Sequence, residues 1–255
     1  MIVNLIPMAG SGKRFEEKGY KVPKPLIDIS GKPMIIQAIS LMPKADKWIF
    51  ICKNELVNKY HVDKTLRETL GDTKIEIVPI DYNTQGQICT CLLAEKFIKP
   101  EEPLFIGACD YGAIWDKKEY QKLLNEEDSD VICWSFTKHK GLVEKPNAWG
   151  WLKVSNDKKI MTGVSVKKPV SINMFNDFAI VGSFYFKKGK IFLETAKEII
   201  KNNERVNNEF YVDSCMGKAV ELGYKVKNFV VDEFICWGSP EDVEEYKLNK
   251  KKLPK

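Results

Sequence analysis

A glycine-rich segment near the start of the chain combines a flexible backbone with fixed positive charge. It reads Pro7-Met8-Ala9-Gly10-Ser11-Gly12-Lys13-Arg14-Phe15 and is followed by Pro23-Lys24-Pro25-Leu26. Such a loop at the end of a strand can turn its backbone N–H groups toward an anion. Because Arg14 and Lys24 add cationic side chains beside the loop, the segment predicts a site for a polyphosphate.

The glycine spacing separates three kinds of phosphate-binding loop. A P-loop requires G-x-x-x-x-G-K-[ST], but Arg14 follows Gly12-Lys13, and Pro7 stands where the first glycine should be. The dinucleotide fingerprint requires G-x-G-x-x-G, and its third position here is Phe15. The pattern that fits is G-x-G-x-R followed by P-K-P-L. The plain alternative is an ordinary glycine turn with surface Lys and Arg.

The elements that must position these residues alternate along the first half of the chain. Apolar runs and amphipathic repeats predict strands over 2–8, 48–53, 75–80, 104–109 and 131–137, and helices over 34–41, 55–70, 88–97 and 115–125. Such alternation is typical of a mainly parallel sheet with helices on both faces. Sites in these sheets lie beyond the carboxyl ends of the strands, where the glycine loop falls.

The second half of the chain has a more mixed pattern. It predicts a hairpin over 149–154 and 160–167, strands over 178–186 and 225–234, helices over 191–202 and 209–222, and a closing helix from 240. We find no internal repeat, low-complexity segment or linker. The simplest organisation is therefore one compact unit with two functional halves.

Composition limits the class of protein. A chain of 255 residues holds one large α/β domain or two modest ones. It contains no run of about 20 apolar residues and no apolar leader, so we expect a cytoplasmic protein. The seven cysteines lack C-x-x-C spacing, which favours reduced buried thiols over zinc or disulfides.

The net charge of +5 suits anionic small substrates but is equally typical of a soluble protein. Residues 247–255 contain five lysines, which we interpret as a solvated helix end. Because aromatic residues do not alternate with these lysines, a nucleic-acid surface is not indicated.

Asp110 follows the apolar run 104–109. A carboxylate is costly in a core and natural at the mouth of a strand, where hard cations are commonly bound. Asp110 is therefore a candidate ligand for Mg²⁺. The alternative is a turn aspartate before Gly112.

The two N-terminal motifs, in this order, resemble the signature of the nucleotidyltransferases that make activated sugars and alcohols, also called sugar-nucleotide pyrophosphorylases. The resemblance reaches a looser G-[TS]-P-x-D element at Gly238-Ser239-Pro240-Glu241-Asp242, and is closest in kind to bacterial members found with capsular-polysaccharide genes. It implies one Rossmann-like α/β domain over 1–255. About 1–140 would form the nucleotide-binding half and about 141–255 the acceptor-binding half.

The resemblance also implies roles for residues on the nucleotide side. Arg14 and Lys24 would be catalytic, the loop from Met8 to Lys13 would bind the nucleotide, and Asp110 would hold Mg²⁺. Gln85 and Gly86 stand where the family contacts the base: an amide both donates and accepts, and glycine allows close approach. A plain helix start capped by Thr84 is compatible with this interpretation.

On the acceptor side the matches are looser. Val166-Lys167-Lys168-Pro169 resembles the family's E-K-P element, whose lysine holds the acceptor phosphate, so Lys168 is the candidate. Lys145 lies in a second copy of these letters that does not follow a strand. Glu209 matches a family acid near the acceptor, although an acid in a first helical turn is also favoured by the helix dipole.

One position departs from the family pattern. Many members have an aspartate two residues before the glycine of G-[TS]-P-x-D, and here that residue is Cys236. A neutral thiol is a poor Mg²⁺ ligand. Either Asp110 and the phosphates hold the metal alone, or a nearby acid such as Asp232 or Asp213 replaces the missing ligand.

The tryptophans are open to two interpretations. They either frame a pocket for a non-sugar acceptor or pack in the core, the commoner use of such residues. They are Trp115, Trp134, Trp149, Trp151 and Trp237.

The implied reaction joins an NTP to a small phosphorylated acceptor and releases pyrophosphate. The resemblance favours CTP over UTP or dTTP, and a sugar 1-phosphate, phosphocholine or phosphoglutamine as acceptor. It implies no nucleic-acid or membrane partner and leaves a homo-oligomer open. The rival functions are a nucleotide-sugar glycosyltransferase, although Asp110-Tyr111-Gly112 lacks the usual D-x-D, and a non-catalytic nucleotide-binding relative.

Overall fold

The computed structural model describes residues 1–249, and residues 250–255, most of the lysine-rich segment, lie outside the described part. The strands are β1 (Val3–Met8), β2 (Asp28–Ile29), β3 (Lys32–Pro33), β4 (Lys47–Lys53), β5 (Lys74–Ile80), β6 (Leu104–Ile106), β7 (Tyr111–Ile114), β8 (Val131–Phe136), β9 (Gly150–Val154), β10 (Met161–Val166), β11 (Ala179–Phe186), β12 (Val226–Val230) and β13 (Glu233–Cys236). The α-helices are α1 (Lys13–Glu17), α2 (Met34–Ser40), α3 (Asn54–Asn58), α4 (Val62–Leu70), α5 (Gln87–Leu92), α6 (Lys117–Asn125), α7 (Gly141–Glu144), α8 (Gly189–Lys201), α9 (Val212–Glu221) and α10 (Pro240–Leu248). Short 3-10 turns lie at Lys24–Leu26, Glu95–Phe97 and Pro146–Ala148.

A single large mixed sheet organises the molecule. Its strands follow the order β10-β9-β11-β6-β1-β4-β5, and β8 adds to β11 and carries β12. In the first half β1 pairs in parallel with β4 and β6, and β4 pairs in parallel with β5. In the second half β11 runs antiparallel to β6, β8 and β9. The predicted α/β class, with a mixed and mainly parallel sheet, is confirmed.

Strand β1 lies near the middle of the sheet because both of its faces are apolar. Leu5 belongs to a core cluster that contains Phe192 of α8, whereas Ile6 belongs to another that contains Ile35 of α2. Successive strand residues point to opposite faces, so helices cover both faces, as predicted. The carboxyl end of β1 then leads directly into the glycine loop.

The structure divides two elements that the sequence pattern predicts as continuous. The predicted helix over 55–70 is broken into α3 and α4 at His61, whose φ of 51° is left-handed and incompatible with a continuing right-handed helix. The predicted strand over 225–234 ends at Val230. A new strand, β13, then pairs with β7, which the sequence pattern does not predict.

The small β7–β13 sheet brings distant parts of the chain together. Its pairing places Cys236 opposite Tyr111, and the backbone N–H of Trp237 donates to the carbonyl of Asp110 at 2.9 Å. Phe15 and Ile27 share a core cluster with Trp237. The N-terminal loop region and the segment before α10 therefore meet beside Asp110.

The tryptophans mostly pack in the core. Trp134, Trp151 and Trp237 are fully buried, and Trp115 packs edge-to-face on Trp134. Trp149 is the member of this set that lines the large cleft described below.

All seven cysteines are free thiols; five are buried, and Cys89 and Cys236 are half-buried. No helix within residues 1–249 has the length and apolar character needed to span a bilayer.

Candidate active site

Three loops at the carboxyl side of the sheet converge on one lysine. Lys24 begins the short 3-10 turn that follows Pro23, and its Nζ donates to Asp110 Oδ2 at 2.5 Å and to the Gly238 carbonyl at 3.0 Å. Burial opposes the charged form of Lys24, but the Asp110 carboxylate outweighs it and raises the pKa above its ordinary value. The ammonium thus joins the N-terminal loop, the end of β6 and the turn before α10.

The glycine loop packs directly against this lysine. Gly12 has a left-handed φ of 64°, and a Cβ at this position would lie 3.3 Å from the Cβ of Lys24. A larger residue would be strained and would press on Lys24. The predicted nucleotide-binding loop is therefore held next to the predicted catalytic lysine.

Beside the loop is a cavity of about 320 Å³. Its walls include Met8, Gly10, Ser11, Lys24, Lys53, Asn54, Asp81 and Asn83. Three other predicted loop residues do not line it: Ala9 is buried, Gly12 packs against Lys24, and the Lys13 side chain is exposed beside Glu17 at 3.7 Å.

A larger cleft of about 590 Å³ adjoins Asp110. Arg14 and Gln87 line it together with Asp110. The charge of Arg14 also acts on Lys24, where it opposes the charged ammonium. Two neighbouring cations that repel each other form a strong site for an anion of high charge, because binding relieves the repulsion.

Two lysines and an aromatic wall also line the large cleft. They are Lys145, Trp149, Lys167 and Tyr211. Lys145 Nζ lies 3.7 Å from Asp242 Oδ1, whereas Lys167 Nζ donates to the Ala148 carbonyl and lies 5.1 Å from the centre of the Tyr211 ring. The wall near Lys167 offers positive charge above a flat apolar surface.

The structure separates the sequence-predicted acceptor residues from this wall. The Lys168 side chain is exposed and is not among the residues lining the cleft, whereas the preceding Lys167 is. Glu209 is also exposed, and its Oε2 accepts from the Tyr211 hydroxyl at 2.5 Å. Glu209 does not line the cleft itself and is connected to it by its hydrogen bond with Tyr211.

Asp213 is a half-buried acid that lines the same cleft. Its carboxylate presses so closely on Gly150 that a Cβ there would collide with it. Burial raises the pKa of Asp213, while the nearby Lys167 charge opposes this shift. Asp213 consequently lines the large cleft beside Lys167 and Gly150.

The Gln85–Gly86 segment is held by contacts with Arg205 and Phe210. The Gln85 side chain accepts a hydrogen bond from the Arg205 guanidinium. A Cβ at Gly86 would lie 2.6 Å from the Phe210 carbonyl oxygen. Asn83 faces the smaller cavity and Gln87 faces the larger cleft. The side chains of this segment that reach the two cavities are therefore the two that flank Gln85 and Gly86.

The donor groups near Asp110 fit a magnesium ion that is bound largely by its substrate. Asp110 Oδ2 and Asp242 Oδ2 lie 3.8 and 3.7 Å from the point where a Cβ on Gly238 would be, and Cys236 Sγ lies 3.4 Å from it. No group of three or more His, Cys, Asp or Glu side chains within residues 1–249 is arranged to hold a metal. Mg²⁺ characteristically takes one or two carboxylates together with water and substrate phosphates.

The departure at Cys236 has a structural counterpart in Asp242. Burial and the Asp242 carboxylate raise the pKa of the Cys236 thiol, so it stays protonated, and its Sγ donates to Asp242 Oδ2 at 3.5 Å. Asp242 also accepts from the backbone and hydroxyl of Ser239 in the capping box of α10. Asp232 is exposed and outside the cleft lining. The carboxylate nearest the missing position is therefore Asp242.

Sequence reasoning overlooked several residues that line the two cavities. They are Lys53, Asn83, Gln87, Lys167 and Asp242. The sequence contained a signal for three of them. Asp242 is the last residue of the G-S-P-E-D element, and Asn83 and Gln87 flank the Gln85–Gly86 pair. Lys53 ends β4 next to β1, but a lysine at the end of a strand is too common a feature to single it out.

Comparison with known proteins identifies a family match. Residues 3–240 match the family described as nucleotidyl transferase. Comparison with curated protein sequences gives no match.

Among solved structures, the chain is similar to a nucleoside-diphosphate-sugar pyrophosphorylase from Vibrio cholerae RC9, with 20% identity, a TM-score of 0.77 and coverage of 96% of this chain and 99% of the other. An inositol-1-phosphate CTP transferase from T. maritima aligns with 15% identity, a TM-score of 0.71 and coverage of 96% and 94%. A UDP-glucose pyrophosphorylase complexed with UDP-glucose aligns with 19% identity, a TM-score of 0.73 and coverage of 98% of both chains. At these identities the similarity establishes a shared fold.

Proposed function

Because the chain belongs to the nucleotidyl transferase family, we propose that it transfers the nucleotidyl group of an NTP, with CTP favoured, to a small phosphorylated acceptor. The observation that carries this proposal is the convergence of Lys24, Asp110 and Gly238 between two adjoining cavities. One cavity carries the glycine loop, and the other carries Arg14 and the acceptor-side lysines. This arrangement suits two phosphorylated substrates that must meet at one point.

The chemistry is a direct displacement. A phosphate oxygen of the acceptor attacks the α-phosphorus, a new P–O bond forms, and the bond to the β-phosphate oxygen breaks as pyrophosphate leaves. Because the attacking phosphate oxygen is already anionic, no general base is required. Catalysis then rests on positioning the reactants and on stabilising charge.

We assign roles to the residues by their place in the two cavities. Arg14 stabilises the β- and γ-phosphates while negative charge builds on the leaving pyrophosphate. Lys24 contacts the α-phosphate and the incoming acceptor phosphate from its position at the convergence point. Lys145 and Lys167 bind the acceptor phosphate, and Asn83 and Gln87 contact the nucleotide.

Members of this family typically use divalent metal ions, and we propose that Asp110, with Asp242 nearby, holds Mg²⁺. The ion would supply positive charge that offsets the charge of the phosphates. Lys24 donates to Asp110 Oδ2 in this structure, so a cation bound at that oxygen would compete with the ammonium. Transfer of Lys24 from Asp110 to the α-phosphate would make this exchange part of nucleotide binding.

The identity of the two substrates is the finer part of the proposal. The T. maritima relative is an inositol-1-phosphate CTP transferase, which supports CTP, whereas the UDP-glucose complex keeps UTP as the second candidate. The acceptor we propose is a sugar 1-phosphate or a similar phosphorylated metabolite such as phosphoglutamine, used for surface-polysaccharide precursors. The family match does not favour a glycosyltransferase.

The first test is pyrophosphate release with Mg²⁺, using CTP, UTP, dTTP, ATP and GTP separately and a pool of phosphorylated acceptors. We expect release with one NTP, and only when acceptors are present. Dividing the pool then identifies the acceptor. Clear nucleotide binding by thermal shift without release, across a broad acceptor pool, would instead indicate a non-catalytic nucleotide-binding protein.

A pair of adjacent lysines tests the acceptor site. We expect Lys167→Ala to raise the acceptor KM about tenfold or more, because it removes a charged phosphate contact from the cleft wall, and to change the nucleotide KM little. Lys168→Ala is the matched control, since its side chain is exposed outside the cleft lining. The opposite ranking of the two variants would return the role to Lys168, as the sequence motif implies.

A further inference from the structure

Arg205 lies outside both cavities, yet its guanidinium is one of the most heavily engaged groups of the described chain. Its Nε donates to Asn203 Oδ1 at 2.7 Å and its Nη1 to the Asn208 carbonyl at 3.1 Å. Its Nη2 donates to Gln85 Oε1. The guanidinium carbon also lies 4.1 Å from the centre of the Phe210 ring. This contact set uses the planar fork that distinguishes arginine from lysine.

The rarity of arginine in this sequence makes the choice informative. Of the 40 Lys and Arg residues, only Arg14, Arg67 and Arg205 are arginines. Lysine meets the need for positive charge elsewhere, so a general requirement for charge does not explain Arg205. An arginine at this position is explained by its several hydrogen bonds and its stacking on the Phe210 ring.

The partner of Arg205 is a loop that lies between the two cavities. The Phe210 N–H donates to the Gln85 carbonyl at 3.0 Å, and the Ile88 N–H donates to the Phe210 carbonyl at 3.0 Å. A Cβ at Gly86 would collide with the same Phe210 peptide, so glycine is required for this approach. We call this arrangement of Gln85, Gly86, Arg205 and Phe210 the Arg205 clamp.

A tight turn supports the Arg205 clamp on the side of residues 205–210. Val206 and Glu209 exchange both backbone hydrogen bonds around Asn207 and Asn208, which have left-handed φ values of 48° and 64°. This geometry is that of a two-residue hairpin turn of type I′. Arg205 immediately precedes this turn and Phe210 immediately follows it, so the turn fixes the distance between them.

The two sides of the Arg205 clamp adjoin the regions that we propose for the nucleotide and for the acceptor. On one side, Asn83 and Gln87 flank the clamped residues and face the two cavities. On the other side, Phe210 is followed by Tyr211 and Asp213, which line the acceptor end of the large cleft. The clamp therefore connects the loop nearest the nucleotide to the segment nearest the acceptor.

We propose that Arg205 is a positioning residue that couples the nucleotide and acceptor sites by holding the 83–87 loop on the segment that begins α9. This inference rests on the proposed function, because it requires a nucleotide beside Asn83 and Gln87. Ordering of that loop by a nucleotide is then transmitted through Phe210 to Tyr211 and Asp213. In the absence of Arg205 the two sites bind independently.

The experiment measures nucleotide binding and amide hydrogen exchange instead of turnover. CTP with Mg²⁺ is the first probe, titrated by calorimetry, with UTP and dTTP as further probes. In the wild-type protein we expect the bound nucleotide to slow exchange at residues 84–90 and also at residues 209–215. In Arg205→Ala we expect Kd to rise about tenfold and the protection at 209–215 to disappear.

Two further variants separate positioning from charge and from folding. Arg205→Lys keeps the charge but loses the fork, so we expect it to remain several-fold weaker than wild type in nucleotide binding. Arg67→Ala removes an exposed arginine on α4 and should bind as wild type. Thermal unfolding identifies any variant that is simply destabilised, since a destabilised but correctly positioned loop would bind with unchanged Kd when folded.

The outcomes that overturn the proposal differ from those that overturn the function. Wild-type Kd and wild-type protection at 209–215 in Arg205→Ala would contradict the clamp alone. Wild-type protein that binds none of the three nucleotides would contradict the proposed function, and the coupling with it.

Discussion

Asp110→Asn is expected to lower turnover about 10³-fold and to weaken its dependence on Mg²⁺. Asparagine keeps an oxygen that can accept from Lys24, so we expect the fold to survive, but losing the carboxylate that offsets the burial of the Lys24 ammonium should lower the thermal stability. What it removes is the negative charge that binds the cation. Metal stabilisation of the transition state amounts to several kcal/mol, and each 1.4 kcal/mol is a factor of about ten in rate.

The measurement is pyrophosphate release as a function of Mg²⁺ concentration, with thermal unfolding as a check on the fold. Asp232→Asn is the matched control, because Asp232 is an exposed acid outside the cleft lining and its loss should leave the Mg²⁺ dependence unchanged. An Asp110→Asn enzyme with the wild-type Mg²⁺ requirement would remove Asp110 from the metal site. Asp242 would then be the carboxylate to test next.

Arg14→Ala is expected to lower turnover about 10²- to 10³-fold, the usual cost of losing one group that stabilises charge in the transition state. Arg14 lines the large cleft, and its charge acts on Lys24, which places both cations near the phosphates. In the resting protein the change should relieve repulsion, so we expect the fold to survive. The loss should therefore appear in activity and not in the free energy of unfolding.

Steady-state kinetics with varied NTP distinguishes the two ways in which Arg14 can act. A fall in kcat at nearly constant nucleotide KM indicates a contact that strengthens as pyrophosphate leaves. A rise in KM alone indicates simple binding of the triphosphate, and near-normal kinetics would exclude Arg14 from the site. Arg67→Ala is again the control, because it removes the same side chain from an exposed position on α4.

The parts of the structure that depend on local sequence pattern could be predicted from the sequence. The apolar runs at β1, β4 and β5 predicted the parallel half of the sheet, because a strand buried on both faces needs a continuous apolar stretch. The site near Lys24 was predictable for a related reason. A glycine loop after the first strand and an acid after a later parallel strand must emerge at the same edge of the sheet.

The residues that the sequence missed depend on contacts between distant segments. Nothing local shows that the chain leaves the main sheet after Val230 and pairs β13 with β7. That pairing is what brings Gly238 and Asp242 to Asp110. Likewise, the left-handed turn at Lys167 is a feature of the folded hairpin, and the motif letters alone favoured the neighbouring Lys168.

The hydrogen bond from Lys24 to the Gly238 carbonyl has a consequence for the order in which the protein is made. A ribosome delivers the glycine loop, Lys24 and Asp110 early in translation and Gly238 more than a hundred residues later. Phe15 and Ile27 are made more than two hundred residues before Trp237 and Val243, with which they share a core cluster. This apolar face therefore stays uncovered by Trp237 and Val243 until nearly the whole chain has been translated, and we expect Lys24 and Asp110 to meet Gly238 only then.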